Sequence, residues 1–261
     1  YDGSEWINQA DATGGGGGAG ITTDAYWNTS GGLNAGDSFT LGSATDNTLL
    51  GYDAGTAITT GDYNTSVGSG ALQANITGYE NTASGYKALY ANTSGIRNTA
   101  SGSFALWSNT TGHYNTASGK EALGKNTTGQ KNTATGYLAL NKNTTASYNT
   151  ASGYEALKSN TTGANNTASG IYALRTNGTG SDNTATGKSA LYANTTGASN
   201  TASGREALYS NTTGGYNTAC GGNALFYNTT ASYNTAVGNA ALRANTTGAN
   251  NTASGYQALY S

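Results

Sequence analysis

"NTASGYKALYANTSGIR" fills residues 81–97, and residues 98–112 open again with "NTASGSFALWSNTTG". The Asn-Thr pair returns every 17 residues, from Asn47 through Asn64, Asn81 and Asn98 to Asn251. A strict period of this length marks a stack of identical supersecondary units. With the unit numbered 1 to 17 from its Asn, positions 1, 2, 5 and 8 are Asn, Thr, Gly and Ala in every unit. Position 9 is Leu in all but the first, which has Gly55. Fixed positions point to packing and variable ones to solvent.

The stretch free of Gly and Asn-Thr is about six residues, too short for a stable helix. A strand over "NTASG" fits better, with Thr82 and Ser84 on one face and Ala83 on the other. Gly85 then allows a corner with positive φ. "xxALxx" is read as a second strand and "NTTG" as the return turn, rich in residues that turns favour. The expectation is an all-β protein, a β-solenoid (β-roll) with 17 residues per coil and about 13 coils, each coil pairing with copies of itself. The expected ladders are Asn81, Thr82, Ala83, Gly85, Ala88, Leu89 and their equivalents, the Asn rows bonding along the axis. With one Leu and two Ala per coil as dependable apolar content, association of two or three chains is left open. Residues 1–18 read as a flexible acidic arm with a Gly hinge, 19–46 as an irregular cap, and 47–261 as the solenoid.

Composition narrows function. Of 261 residues 35% are hydrophobic and 9% charged, with 40 Gly and no Pro. Disorder usually carries high net charge or abundant Pro, so regular backbone pairing fits better. Residues 1–80 hold nine acids and no Lys or Arg, whereas 81–261 hold all eleven bases and four acids. That polarity bears on association. The acidic arm, with Trp6 and Ile7, is expected to dock on a neighbouring copy and make head-to-tail contacts. No apolar run approaches the roughly 18 residues of a membrane span. The chain opens on Tyr1 instead of Met, which reads as a processed or cut form whose signal segment is gone.

Chemistry-bearing groups are sparse. The single His113 has no second His or Cys pair for zinc or a triad, and the glycines at 14–18 lack the Lys-Ser/Thr of a phosphate loop. Glu121 and Glu155 share position 7 but read as surface charge. Cys220, alone, reads as a small filler. The chain is expected not to be an enzyme and to need no cofactor, metal or nucleic acid. N-x-Thr/Ser sequons recur at Asn75, Asn92, Asn109, Asn126, Asn143, Asn160, Asn177, Asn194, Asn211, Asn228 and Asn245. These are candidate glycan acceptors, although a turn needing Asn and a hydroxyl is the preferred explanation. The 19 Tyr, often at positions 6, 10 and 17, could bind surface glycans; cross-coil packing is preferred. The Thr row at position 2 suits an ice-binding face if it points outward, and an inward row removes that reading.

"NTAVGNAAL" and "NTSVGSGAL" resemble the head repeats of trimeric autotransporter adhesins. "NTA-x-G-x-x-AL…NTTG", together with "GYDAGTAITTGDYNTSVGSGAL" (51–72) and "AYWNTSG" (25–31), is similar to repeats upstream of chaperone domains in tail-fibre-like bacterial and phage proteins. The resemblance implies left-handed β-rolls that associate as trimers, at a cell surface or on a virion. The leading expectation is a structural subunit of an extracellular fibre or filament. The alternatives are a receptor- or glycan-binding shaft and, further off, an ice-binding protein.

Overall fold

The computed structural model describes residues 21–39 and 43–260. The expected arm, including Trp6 and Ile7, lies outside them. Fifteen three-residue strands form one sheet in strict sequence order. β1 (Ile21–Thr23) runs antiparallel to β2 (Thr29–Gly31). From β2 onward all pairings are parallel and in register, through β3 (Thr48–Leu50), β4 (Thr65–Val67) and β5 (Thr82–Ser84) to β15 (Thr252–Ser254). Adjacent strands lie about 4.8 Å apart, so the stack extends on the order of 60 Å. The protein is a β-solenoid with a repeat of 17 residues.

The strand alternates as expected. In β5 Thr82 and Ser84 face solvent and Ala83 is buried. Ala83, Ala88 and Leu89 are each 0% exposed, and their equivalents join one continuous core from Ala71 to Ala253. A single chain thus closes its own core, thin as it is.

Two asparagine ladders run through that core. At position 1, Asn98 N–H donates to Asn81 Oδ1 at 3.0 Å and Asn98 Nδ2 donates to the Gly112 carbonyl at 2.9 Å. At position 12, Asn109 Nδ2 donates to Asn92 Oδ1 at 2.9 Å and to the same Gly112 carbonyl at 3.0 Å. Buried amides are tolerable only when satisfied in this way.

The structure corrects two expectations. "xxALxx" is not a strand: positions 7 and 9 have left-handed backbone, with φ of 53° at Lys87 and 51° at Leu89. Turning φ positive at alternate residues aims their N–H groups along the axis. Lys87 N–H reaches back to the Ser69 carbonyl (2.9 Å) and Leu89 N–H forward to the Ala105 carbonyl (3.0 Å). The arc therefore curves tightly while keeping its intercoil bonds. Left-handed backbone costs a non-glycine residue about 1–2 kcal/mol, offset here by burial of the Leu. The second correction is the start of the solenoid. β2 already belongs to the parallel ladder, and Asn47 Nδ2 donates to Asn28 Oδ1 at 2.9 Å. The parallel ladder therefore begins at β2, with Asn28 in the position-1 row, ahead of the Asn47 unit where the solenoid was expected to start.

Gly85 and its equivalents form the corner, with φ of 135° at Gly85. A Cβ on Gly102 would lie 2.7 Å from the carbonyl carbon and oxygen of Gly119 in the next coil. Position 5 needs glycine for conformation and for close approach alike.

Candidate functional site

The rod presents surfaces of different chemistry, each set by a unit position. On the sheet face, positions 2 and 4 project alternately with the buried Ala between them. Thr65 to Thr201 at position 2 are all exposed, beside Ser or Thr at position 4 in most coils. Thr is invariant here without being buried, so invariance marked a surface as well as a core. Cys220 takes the position-4 site of β13 (Thr218–Cys220), half-buried on this face. No unit from Asn64 onward carries a charge at positions 1 to 5.

The turn of positions 12 to 16 places the sequons. Asn75 to Asn228 of that series are fully buried. The Nδ2 atom that would carry a glycan is spent inside the rod, as in Asn160 to Asn143 Oδ1 (3.1 Å) and the Gly163 carbonyl (2.8 Å). Asn245, in the last full coil, is half-buried. The folded rod offers no buried amide of this row to a glycan. His113 is likewise occupied, its Nδ1 accepting the Ile96 N–H at 3.0 Å.

Aromatic and charged side chains gather elsewhere. At position 17, Arg97 Nε pairs with Glu80 Oε2 at 2.7 Å and Arg97 Nη1 donates to Tyr114 Oη at 3.0 Å, linking three coils. The hydrogen bond from Arg97 holds the Glu80 carboxyl below its usual range and raises the guanidinium further. On the arc of positions 6 to 11, Glu155 is 7% exposed. It is held by Lys158 (2.9 Å) and Arg175 (2.6 Å), and Arg175 also reaches Tyr192 Oη at 3.1 Å. Burial pushes the Glu155 carboxyl up, but hydrogen bonds and charge from the two cations outweigh it, and the net shift is downward. Burial, then the neighbouring Glu155 charge, pushes the Tyr154 phenol up.

Rings on this arc form a spine through Tyr137, Tyr154, Tyr172, Tyr192, Tyr209 and Phe226, one per coil, with centroids 5.1–6.3 Å apart. Tyr209 lies between Tyr192 and Phe226 at 5.1 Å from each and nearly parallel to both. Both faces of its ring are covered, the cross-coil packing preferred from sequence. Of the two glutamates considered from sequence, Glu155 is buried and committed to its cations instead of lying on the surface.

Among the described residues no group of three or more His, Cys, Asp or Glu could hold a metal ion, and no helix is long and apolar enough to cross a membrane. Comparison with protein families, curated proteins and solved structures returned no match. Sequence reasoning located the ladders but sorted charges along the chain instead of around the coil. Sorting them by unit position would have exposed the charged arc.

Proposed function

We propose that the chain is a structural rod, a subunit of an extracellular fibre or filament. The observation that carries this reading is the in-register ladder from β2 to β15, in which each coil supplies the template for the next. Identical units stacked in register favour continuation into longer assemblies, and the closed single-chain core makes a trimer unnecessary for stability. The acidic front and basic remainder would favour head-to-tail contact, weakening as salt screens exposed charges over about 8 Å at physiological ionic strength. Electron microscopy of the protein at low salt tests this. Filaments many rods long, shortening as salt rises, are expected; single rods at every salt and concentration would overturn the reading.

A second reading, ice binding, is favoured by one observation. The Thr row points outward, on a parallel sheet face free of charge from Asn64 onward. Regular hydroxyls about 4.8 Å apart along the axis could order water into a lattice. A thermal-hysteresis assay decides: growth arrest that disappears on replacing the exposed Thr150 and Thr167 with Tyr supports it, and a wild-type protein without hysteresis removes it.

A further inference from the structure

Nine of the eleven Lys and Arg lie on the arc of positions 6 to 11, against Asp53 in the Asn47 coil and three glutamates, Glu121, Glu155 and Glu206. Glu155 is taken up by Lys158 and Arg175, and Glu206 stands 3.8 Å from Arg205. Lys120, Lys125, Lys142 and Lys188 are exposed and form no ion pair among the described residues. Lys125 and Lys142 occupy position 11 of successive coils, about 5 Å apart along the axis, and Lys120 and Lys188 occupy position 6 four coils apart, about 19 Å, by the strand spacing. The free cations thus form a track parallel to the rod, with half-exposed Tyr192 and Tyr209 beside it.

We propose that this arc binds a linear anionic polysaccharide laid along the rod axis. The charge density fits a sparsely charged polymer. Duplex DNA carries one charge per about 1.7 Å, several for each coil, whereas the arc offers about one cation per coil. Single-stranded nucleic acid is gripped by open aromatic faces, and the faces of Tyr209 are covered by its neighbours. Rings packed in this way turn their rims outward, and Tyr209 stays half-exposed, which suits a hydroxyl-rich chain. The acidic front of a second copy, proposed above for end-to-end contact, is a poorer match for a track along the side of the rod. Asp24, Asp53, Asp62 and Glu80 already accept hydrogen bonds within their own rod. This inference stands apart from filament formation, since a single rod carries the whole track.

The test is titration of the full chain with polygalacturonate, with neutral dextran and an oligothymidylate as comparators. Binding to polygalacturonate that weakens with salt is expected, with none to dextran. The combined Lys120→Gln, Lys125→Gln, Lys142→Gln and Lys188→Gln variant should bind about tenfold more weakly or worse, since exposed charge contacts contribute up to about 1 kcal/mol each. The Arg97→Gln, Lys131→Gln variant, altered off the arc, should keep the wild-type affinity. Circular dichroism should be unchanged in both, because the four lysines, Arg97 and Lys131 are all exposed. Unaltered binding by the four-lysine variant overturns the proposal, as does equal binding to dextran or tighter binding to the oligonucleotide. Self-association lost in the four-lysine variant, with no polysaccharide binding by the wild type, would assign the arc to a second copy and also overturn it.

Discussion

The first two coils and those that follow solve the same packing problem with different residues. In the coil at Asn81, position 3 is Ala83, position 9 is Leu89 and position 12 is Asn92, all fully buried. In the coil at Asn47, Leu49 and Ile58 take positions 3 and 12, both fully buried, and position 9 is Gly55. The coil before it repeats the choice with Gly36 and Phe39. A Cβ on Gly55 would stand 2.8 Å from both Leu49 methyls. What each coil conserves is its filled volume, and the residue supplying it can change. The position-12 ladder is therefore replaceable by apolar packing. The position-1 ladder persists from Asn28, with bonds such as Asn47 N–H to Asn28 Oδ1 at 3.1 Å. Its oxygen accepts a backbone N–H from the next coil, which would otherwise be buried without a partner.

The corner glycine is common to both regions, so its loss should be the most damaging. Gly153→Val and Gly187→Val each place a β-branched side chain at φ of 137° and 122°, with Cβ 2.5 Å and 2.7 Å from the Gly170 and Gly204 carbonyl oxygens. Strain and overlap together should cost about 5 kcal/mol. Thermal melting checks this, and unchanged midpoints for both would refute the corner assignment.

The volume exchange is tested next. Leu49→Ala alone should cost about 3 kcal/mol by leaving a cavity, and Gly55→Leu alone should clash with Leu49. Together they rebuild the later coil's arrangement, and Gly55 already has φ of 59°, close to the 51° of Leu89. The double variant should be at least about 1 kcal/mol more stable than the sum of the single effects, in a denaturation cycle. Strict additivity would mean that the two sites do not share one volume.

The same comparison ranks the two polar ladders. Asn115→Ala strands the Asn132 N–H, which donates to Asn115 Oδ1 at 3.0 Å, and removes the bond from Asn115 Nδ2 to the Gly129 carbonyl at 2.8 Å. Asn126→Ala removes bonds to Asn109 Oδ1 and the Gly129 carbonyl and the one accepted from Asn143 Nδ2, but it takes a partner from no backbone N–H. Losses of about 2–3 and about 1–2 kcal/mol are expected, by the cost of unsatisfied buried groups. A reversed order in urea unfolding would show that the front coils dispense with the second ladder for some other reason.

Much of this architecture was legible in the sequence because a repeat turns local chemistry into global structure. The period fixed the coil, the alternation of Thr82, Ala83 and Ser84 fixed the inner face, and Gly85 announced a corner. The arc was misread because Lys87 and Leu89 carry no mark of left-handed backbone. Their φ is imposed by the coils above and below. The role of Asn28 escaped because it stands 19 residues before Asn47, which breaks the period. The sequon asparagines were read as turn residues, and their burial did not show because a buried amide is costly unless a copy of itself lies one coil away. That neighbour is a property of the fold and does not show within a single unit. The charged arc was available in the letters, since position in the unit, more than order along the chain, decides which side chains meet.

The smallest expected effect lies where an individual coil departs from the repeat. Glu155 is nearly buried and bridges Lys158 in its own coil and Arg175 in the next. The carboxyl is held below its ordinary value because the two cations outweigh the opposing effect of burial. A group whose folded pKa lies below its unfolded one, about 4.3 for Glu, stabilises the fold above that unfolded value, and the stabilisation is lost as pH falls through the folded pKa. Glu155→Gln should therefore lower stability at pH 7 by about 1 kcal/mol, the two cations being partly exposed and screened. The gap to wild type should narrow as pH falls below the ordinary unfolded value and through the depressed folded one, where the wild-type carboxylate takes up its proton. Glu121→Gln supplies the control, since that residue shares position 7 and appears in no ion pair among the described residues. It should leave the melting curve unchanged at either pH. A Glu155→Gln deficit that persists undiminished at low pH would assign the effect to packing of the side chain instead of its charge.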